Sequence, residues 1–160
     1  MHAIVRGGLA GVAATGVMSL VMAAGRAAGL LDTPPPQHIT ARVEEAAGIR
    51  HRLSGPVFQS SWMLAHLGYG AVCGMLFSAG RDRLPPSNLA SGLMFGGLVW
   101  EVSYLGLMPG LRLYPWPAED APSRQGVMIA AHAVYGVALA VLDRLLGGGA
   151  RGARPRPAGR

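Results

Sequence analysis

The chain has 160 residues, of which 51% are hydrophobic, 14% are charged and 24 are glycine, and its formal charge is +6. Soluble domains carry about 25% charged residues, so this balance excludes an ordinary soluble domain. A lone cysteine, Cys73, excludes an internal disulfide and a cysteine-built zinc site.

In chain order, four apolar stretches reach the roughly 20 residues needed to cross a hydrocarbon core of about 30 Å. They are 7–25, 61–80, 89–108 and 126–146. The first follows Arg6 and ends at Ala23-Ala24-Gly25, a tolerable signal-peptide cleavage site. Its glycines Gly7, Gly11 and Gly16 suit helix packing better than disposal, so a retained span is expected.

The loop 30–60 is too long for a plain connection. Pro34-Pro35-Pro36 predicts a stiff extended lead-in. Beyond it Ile39, Val43, Ala46 and Ala47 recur at helical spacing, while Arg42, Glu44 and Glu45 take the wet side. A short amphipathic helix follows, with Gly48 as its stop. The third loop, rich in proline and holding Tyr114 and Trp116, reads as an interfacial anchor. The tail 147–160 is an Arg/Gly/Pro-rich, low-complexity segment expected to be disordered. Beside a membrane helix its arginines point to anionic lipid or topology, not to nucleic acid.

Arginine in short loops sets orientation. The amino end, the Arg81-Asp82-Arg83 loop and the tail together hold eight arginines against two acids, Asp82 and Asp143. The other side holds six against five: Asp32, Glu44, Glu45, Glu119 and Asp120. Both termini are therefore expected in the cytoplasm, with the first and third loops outside. All fourteen basic residues are arginine, which reads as codon usage in a GC-rich genome.

An internal duplication is also legible. Ala65-His66-Leu67-Gly68-Tyr69-Gly70 aligns with Ala131-His132-Ala133-Val134-Tyr135-Gly136, and the match runs to Leu76 over Leu142, five identities in twelve positions at an offset of 66. Gly11/Gly16 and Gly92/Gly97 extend it more weakly to the first and third spans. Two tandem helix hairpins follow, related by an axis along the membrane normal. Gly7/Gly11, Gly70/Gly74 and Gly92/Gly96 are small-xxx-small pairs, and with Gly136 they mark the faces on which backbones approach.

Ionisable residues inside such spans are functional candidates. At about 1.5 Å per residue, His66, His132 and Glu101 lie roughly 8, 9 and 11 Å below the outer boundary. Tyr69, Tyr104 and Tyr135 lie near that layer. One reading is structural, with Glu101 pairing one imidazole and fixing helix register. A second is a proton or cation relay, or pH-responsive element, using Glu101, His66 and His132. A third is haem held between His66 and His132, with Gly70 and Gly136 leaving room for the porphyrin. Zinc on the same three ligands is chemically admissible, but no spacing demands a metal. Ser19, Ser78, Ser91 and Ser103 lie in no nucleophile motif, so no catalytic residue is assigned.

These residues resemble a group of small bacterial inner-membrane proteins, the YagU-like family and its shorter relatives. The resemblance rests on the small-residue first span, Pro34 to Thr40, the two His-Tyr-Gly segments, and Leu98-Val99-Trp100-Glu101-Val102-Ser103-Tyr104-Leu105-Gly106. It covers most of 5–146 and leaves out the Arg-rich tail. It implies a four-span membrane protein without assigned activity, and for the YagU branch a loose link to acid tolerance.

The expectation is thus an all-α membrane protein: a four-transmembrane-helix bundle of two tandem hairpins, with an amphipathic helix in the first outer loop. Its expected role is non-enzymatic, structural or stress-related. It is expected to need no cofactor, to lie in the bacterial inner membrane, and to partner lipid and either a second copy or another membrane protein.

Overall fold

The computed structural model describes residues 1–147, so the expected tail lies outside the described residues from residue 148 onward. The described residues form helices and loops without strands. Helix α1 spans Ala3–Ala27 and α2 Pro35–Ala46; α3 spans Gly55–Gly80. Helix α4 spans Asn88–Trp100 and runs on as a π-helical stretch, Glu101–Leu107, and a last turn, Met108–Gly110. Helix α5 spans Pro122–Leu146.

Local chemistry accounts for the ends. The His2 side chain accepts a hydrogen bond from the Ile4 amide at the start of α1. Ser87 does the same for Ala90 at α4. Helices α1 and α2 close alike: the Leu30 amide donates to the Gly25 carbonyl and Gly29 to Arg26, as Ile49 does to Glu44 and Gly48 to Glu45. Gly29 and Gly48 sit at φ 71° and 68°. This is the six-to-one and five-to-two closure that needs a left-handed residue, which glycine adopts without strain.

The proline run departs from expectation. Pro34 alone is extended; Pro35 and Pro36 form the first turn of α2. Their missing amides lie where a helix has no acceptor to offer, so proline starts the helix there.

Three helices are long and apolar enough to cross a membrane: Ala3–Ala27, Gly55–Arg83 with its terminal 3-10 turn, and Pro122–Leu146. Twenty-five residues of α-helix reach about 37 Å, more than the hydrocarbon thickness. Their exteriors are apolar, with Leu20, Leu64, Leu76 and Leu145 each more than 60% exposed. Their contacts are built from glycine, alanine and a few larger residues, among them Phe77 and Leu139. A leucine exterior over a small-residue interior suits lipid as solvent.

Helix α1 packs on both α3 and α5, and α5 also packs on α4. Helices α3 and α4 therefore stand at the two ends of the row α3, α1, α5, α4, their backbones apart and joined toward one end by the edge-on Phe77 and Phe95 rings at 5.1 Å, while α2 lies on α3. Seven of the glycines expected at contacts sit against a facing helix: Gly7 and Gly11 meet Gly74 and Gly70, and Gly92 and Gly96 meet Gly136 and His132; Gly16, also expected to pack, instead faces outward and meets nothing. A Cβ on Gly11 would overlap the Gly70 carbonyl, and one on Gly136 the Gly92 carbonyl.

Polar groups gather at both ends of the bundle. Where α1 begins and α5 ends, Arg6 Nε donates to Asp143 Oδ1 at 2.8 Å and its Nη2 to Ser78 Oγ at 2.9 Å. At the opposite end, Ser61 donates to Glu44 at 2.6 Å, so Glu44, expected on the wet side of α2, is buried against α3 while Val43, expected on its apolar face, is exposed; Arg50 lies over the Phe58 ring. Tyr114, expected at a membrane interface, instead turns inward to an edge-on contact with His38 at 5.7 Å, while Trp116 is exposed. Its loop folds back under α2, which shields the phenol from solvent.

Candidate functional site

Because α3 and α4 stand apart, a cavity of about 250 Å³ opens between them. All five helices contribute to its wall. Helix α1 brings Thr15 and Met18, α2 brings Pro35, Pro36, Ile39 and Thr40, and α3 brings His66, Tyr69, Gly70 and Cys73. Val99, Trp100, Ser103, Tyr104 and Met108 come from α4 and its continuation, and Met128, His132 and Tyr135 from α5. Tyr114 closes the wall from the third loop.

The two imidazoles are thus brought to the wall of one cavity. His132 Nδ1 lies 2.8 Å from the Met128 carbonyl. It must donate there, so Nε2 is left as an acceptor. His66 Nε2 is buried without a partner, as is Trp100 Nε1. A buried polar group left unpaired costs about 1–3 kcal/mol. Two such groups on one cavity wall mark a place unsatisfied by the protein alone.

The tyrosines have separate duties. Tyr135 donates to the Gly70 carbonyl at 2.9 Å, tying α5 to α3. Tyr69 and Ser103 share a hydrogen bond of 2.7 Å across the gap between α3 and the π-helical stretch. Tyr104 stacks on Trp100, centroids 5.4 Å apart, and donates to Asp120 Oδ2 at 2.6 Å. The Asp120 carboxylate is sealed from solvent, and it accepts also from Arg124 and from the Ala121 amide. Burial, and then the Asp120 carboxylate, push the Tyr114 phenol above its ordinary range.

Glu101 is not part of this centre. Its side chain is exposed, and it is absent from the cavity wall. Helical geometry explains the correction: five residues beyond Gly96 amounts to a rotation of about 140°, away from the face that meets α5. The three-group relay and the three-ligand zinc site therefore do not form. Among the described residues no three His, Cys, Asp or Glu side chains converge as a metal site would require. We expect Glu101→Gln to shift stability by less than about 0.5 kcal/mol, as at other exposed positions. Thermal unfolding in detergent checks this, and a loss above about 2 kcal/mol would place the carboxylate in a buried pair.

The haem reading also loses its geometry. Gly136 is filled by Gly92 and Gly96, and Gly70 by Thr15 and Gly11. A cavity of about 150 Å³ holds benzene, so 250 Å³ suits a substituted ring rather than a macrocycle.

Asp120, Trp100, Arg6 and Asp143 matter to the structure and are not among the candidate site residues of the sequence. A signal existed for two of them. Trp100 is four residues from Gly96, and Asp143 is seven from Gly136, so both continue a glycine face.

A family model described as a family of unknown function, DUF6789, matches residues 1–151. The chain belongs to that family. No curated protein and no solved structure matches it. The DUF6789 match takes in the whole cavity wall and the Arg6–Asp143 pair.

Proposed function

We propose that this DUF6789 member is a four-span, non-enzymatic protein of the bacterial inner membrane that holds a small lipophilic molecule in the His66–His132 cavity. The cavity itself carries the reading: it is apolar in most of its wall, and two buried polar groups on it have no partner. Such a pocket, with a few converging polar groups, is the usual form of a ligand site.

The fourth span would be the helical run 88–110, whose π-helical stretch interrupts it. The arginine balance supports cytoplasmic termini. Two tandem hairpins are supported by the matching contacts of Gly11 with Gly70 and of Gly92 with Gly136. A non-catalytic role is supported by where the polar groups turn: Ser103 to Tyr69, and His132 to a backbone carbonyl. The exposed Glu101, flanked by exposed Leu98, Val102 and Leu105, is where a second copy or another membrane protein would pack. The likeness to the YagU-like proteins extends the proposal to acid stress.

Binding tests the reading. The purified full chain in nanodiscs is titrated with a lipophilic aromatic probe such as 2-methylnaphthalene, and unfolding is followed by temperature. At a hundredfold excess over Kd, stabilisation of about 2.7 kcal/mol is expected. Val99→Trp, which fills the cavity, is expected to abolish it. Stabilisation that survives Val99→Trp, or none in either protein, overturns the reading.

A further inference from the structure

Resting on that reading, we propose that the cavity takes the headgroup of a membrane quinone, a flat ring with a carbonyl at each end, entering sideways from the bilayer between α3 and α4. Three observations narrow the class. First, Trp100 Nε1 can only donate, and His66 Nε2 can donate in the matching tautomer; both are buried without partners, on the two helices that border the gap. A hydrocarbon or an acyl chain would leave both unmatched, whereas two ring carbonyls offer an acceptor to each. His132 Nε2, left as an acceptor, suits the hydroxyl of the reduced ring.

Second, the stacked Trp100–Tyr104 pair, inclined by 22°, gives the wall an aromatic lining against which a flat ring can pack. Met18, Met108 and Met128 contribute adaptable, polarisable surface. The volume of about 250 Å³ fits a substituted ring but leaves an isoprenoid tail outside.

Third, the tail has a way out. Toward one end α3 and α4 meet through the Phe77 and Phe95 rings; elsewhere they stand apart, and the hydrogen bond between Tyr69 and Ser103 ties them across the gap. Tyr69 is 39% exposed, so this tie lies at the surface that faces lipid. Breaking that bond would widen the gap at Tyr69 while the Phe77–Phe95 contact, about two helical turns away along α3, stays in place. The proposal concerns binding alone and requires no electron transfer at this site.

The test compares menadione (2-methyl-1,4-naphthoquinone) with 2-methylnaphthalene, the same ring without carbonyls, on the full chain in nanodiscs, correcting for partition into lipid. Menadione is expected to bind at least tenfold more tightly. In Trp100→Phe, which keeps an aromatic ring but loses the N–H, the preference is expected to fall at least threefold. His66→Leu is expected to reduce it further, and His66→Gln, which keeps a donor, to restore part of it. Equal affinity for the two probes overturns the quinone assignment while leaving a lipophile site in place. If neither probe binds, both this assignment and the reading beneath it fail. A preference unchanged in Trp100→Phe and His66→Leu also overturns the assignment, because the carbonyls would then be recognised elsewhere.

Discussion

Asp143→Ala is expected to cost about 3–5 kcal/mol of stability, the loss typical of breaking a buried ion pair from one side. The Arg6 and Asp143 side chains are only 13% and 5% exposed, and they meet at 2.8 Å. Removing the carboxylate strands a guanidinium whose remaining hydrogen bond is to Ser78. The deficit arises from that stranded charge, so a double variant, Arg6→Met with Asp143→Leu, should recover most of it. Arg6→Lys, with Asp143 kept, should itself lose stability, because an ammonium does not reproduce the guanidinium fork that reaches Asp143 and Ser78 together. Unfolding of the four proteins in detergent supplies the comparison. A single-variant loss below about 1 kcal/mol would mean that the pair behaves as a solvated one.

The second large effect lies at the glycine contacts. Gly136→Ala is expected to destabilise the protein by about 1–3 kcal/mol, the range for overpacking a tight contact. Its new Cβ would overlap the Gly92 carbonyl and approach the Gly96 amide nitrogen at 2.9 Å, and neither backbone can yield without moving a helix. Gly97→Ala is the internal control, because a Cβ there meets nothing within 4 Å. It should be neutral or stabilising, since alanine is the better helix former by up to about 1 kcal/mol. Opposite signs from the same change at two helical glycines isolate contact from propensity. Equal effects would show that α4 and α5 do not rely on close approach.

The glycine faces were legible because small residues at every fourth position leave few alternatives to helix contact. Gly48 was legible as a stop because a left-handed residue follows the last turn of α2. Pro35 and Pro36 depart from the extended expectation: a proline run is consistent with an extended segment, but its second and third members also suit a first helical turn. The choice depends on what the turn packs against, and α2 rests on α3.

The site was legible in part. His66, His132, Tyr69, Tyr104 and Tyr135 share one wall, whereas depth, which alone links Glu101 to them in the sequence, does not bring it there. Equal depth does not fix the direction in which a side chain points. The azimuth from Gly96 carries that information, and it places Glu101 on the outer side. The π-helical stretch then adds a shift that periodicity cannot supply. Each of its hydrogen bonds spans one more residue than in an α-helix. The buried position falls on Tyr104, while Ser103 is left half-buried beside Tyr69.

Hydropathy and spacing along single segments are enough to establish the apolar helices, most of their small-residue contacts and the existence of a helix at α2. Which face α2 buries, the separation of the α3 and α4 backbones, the cavity between them and the burial of Asp120 and Asp143 at opposite ends emerge once the helices pack. Those outcomes depend on which helix faces meet. A contact between residues as distant as Arg6 and Asp143 is set by the packing of the whole bundle, which no local pattern encodes.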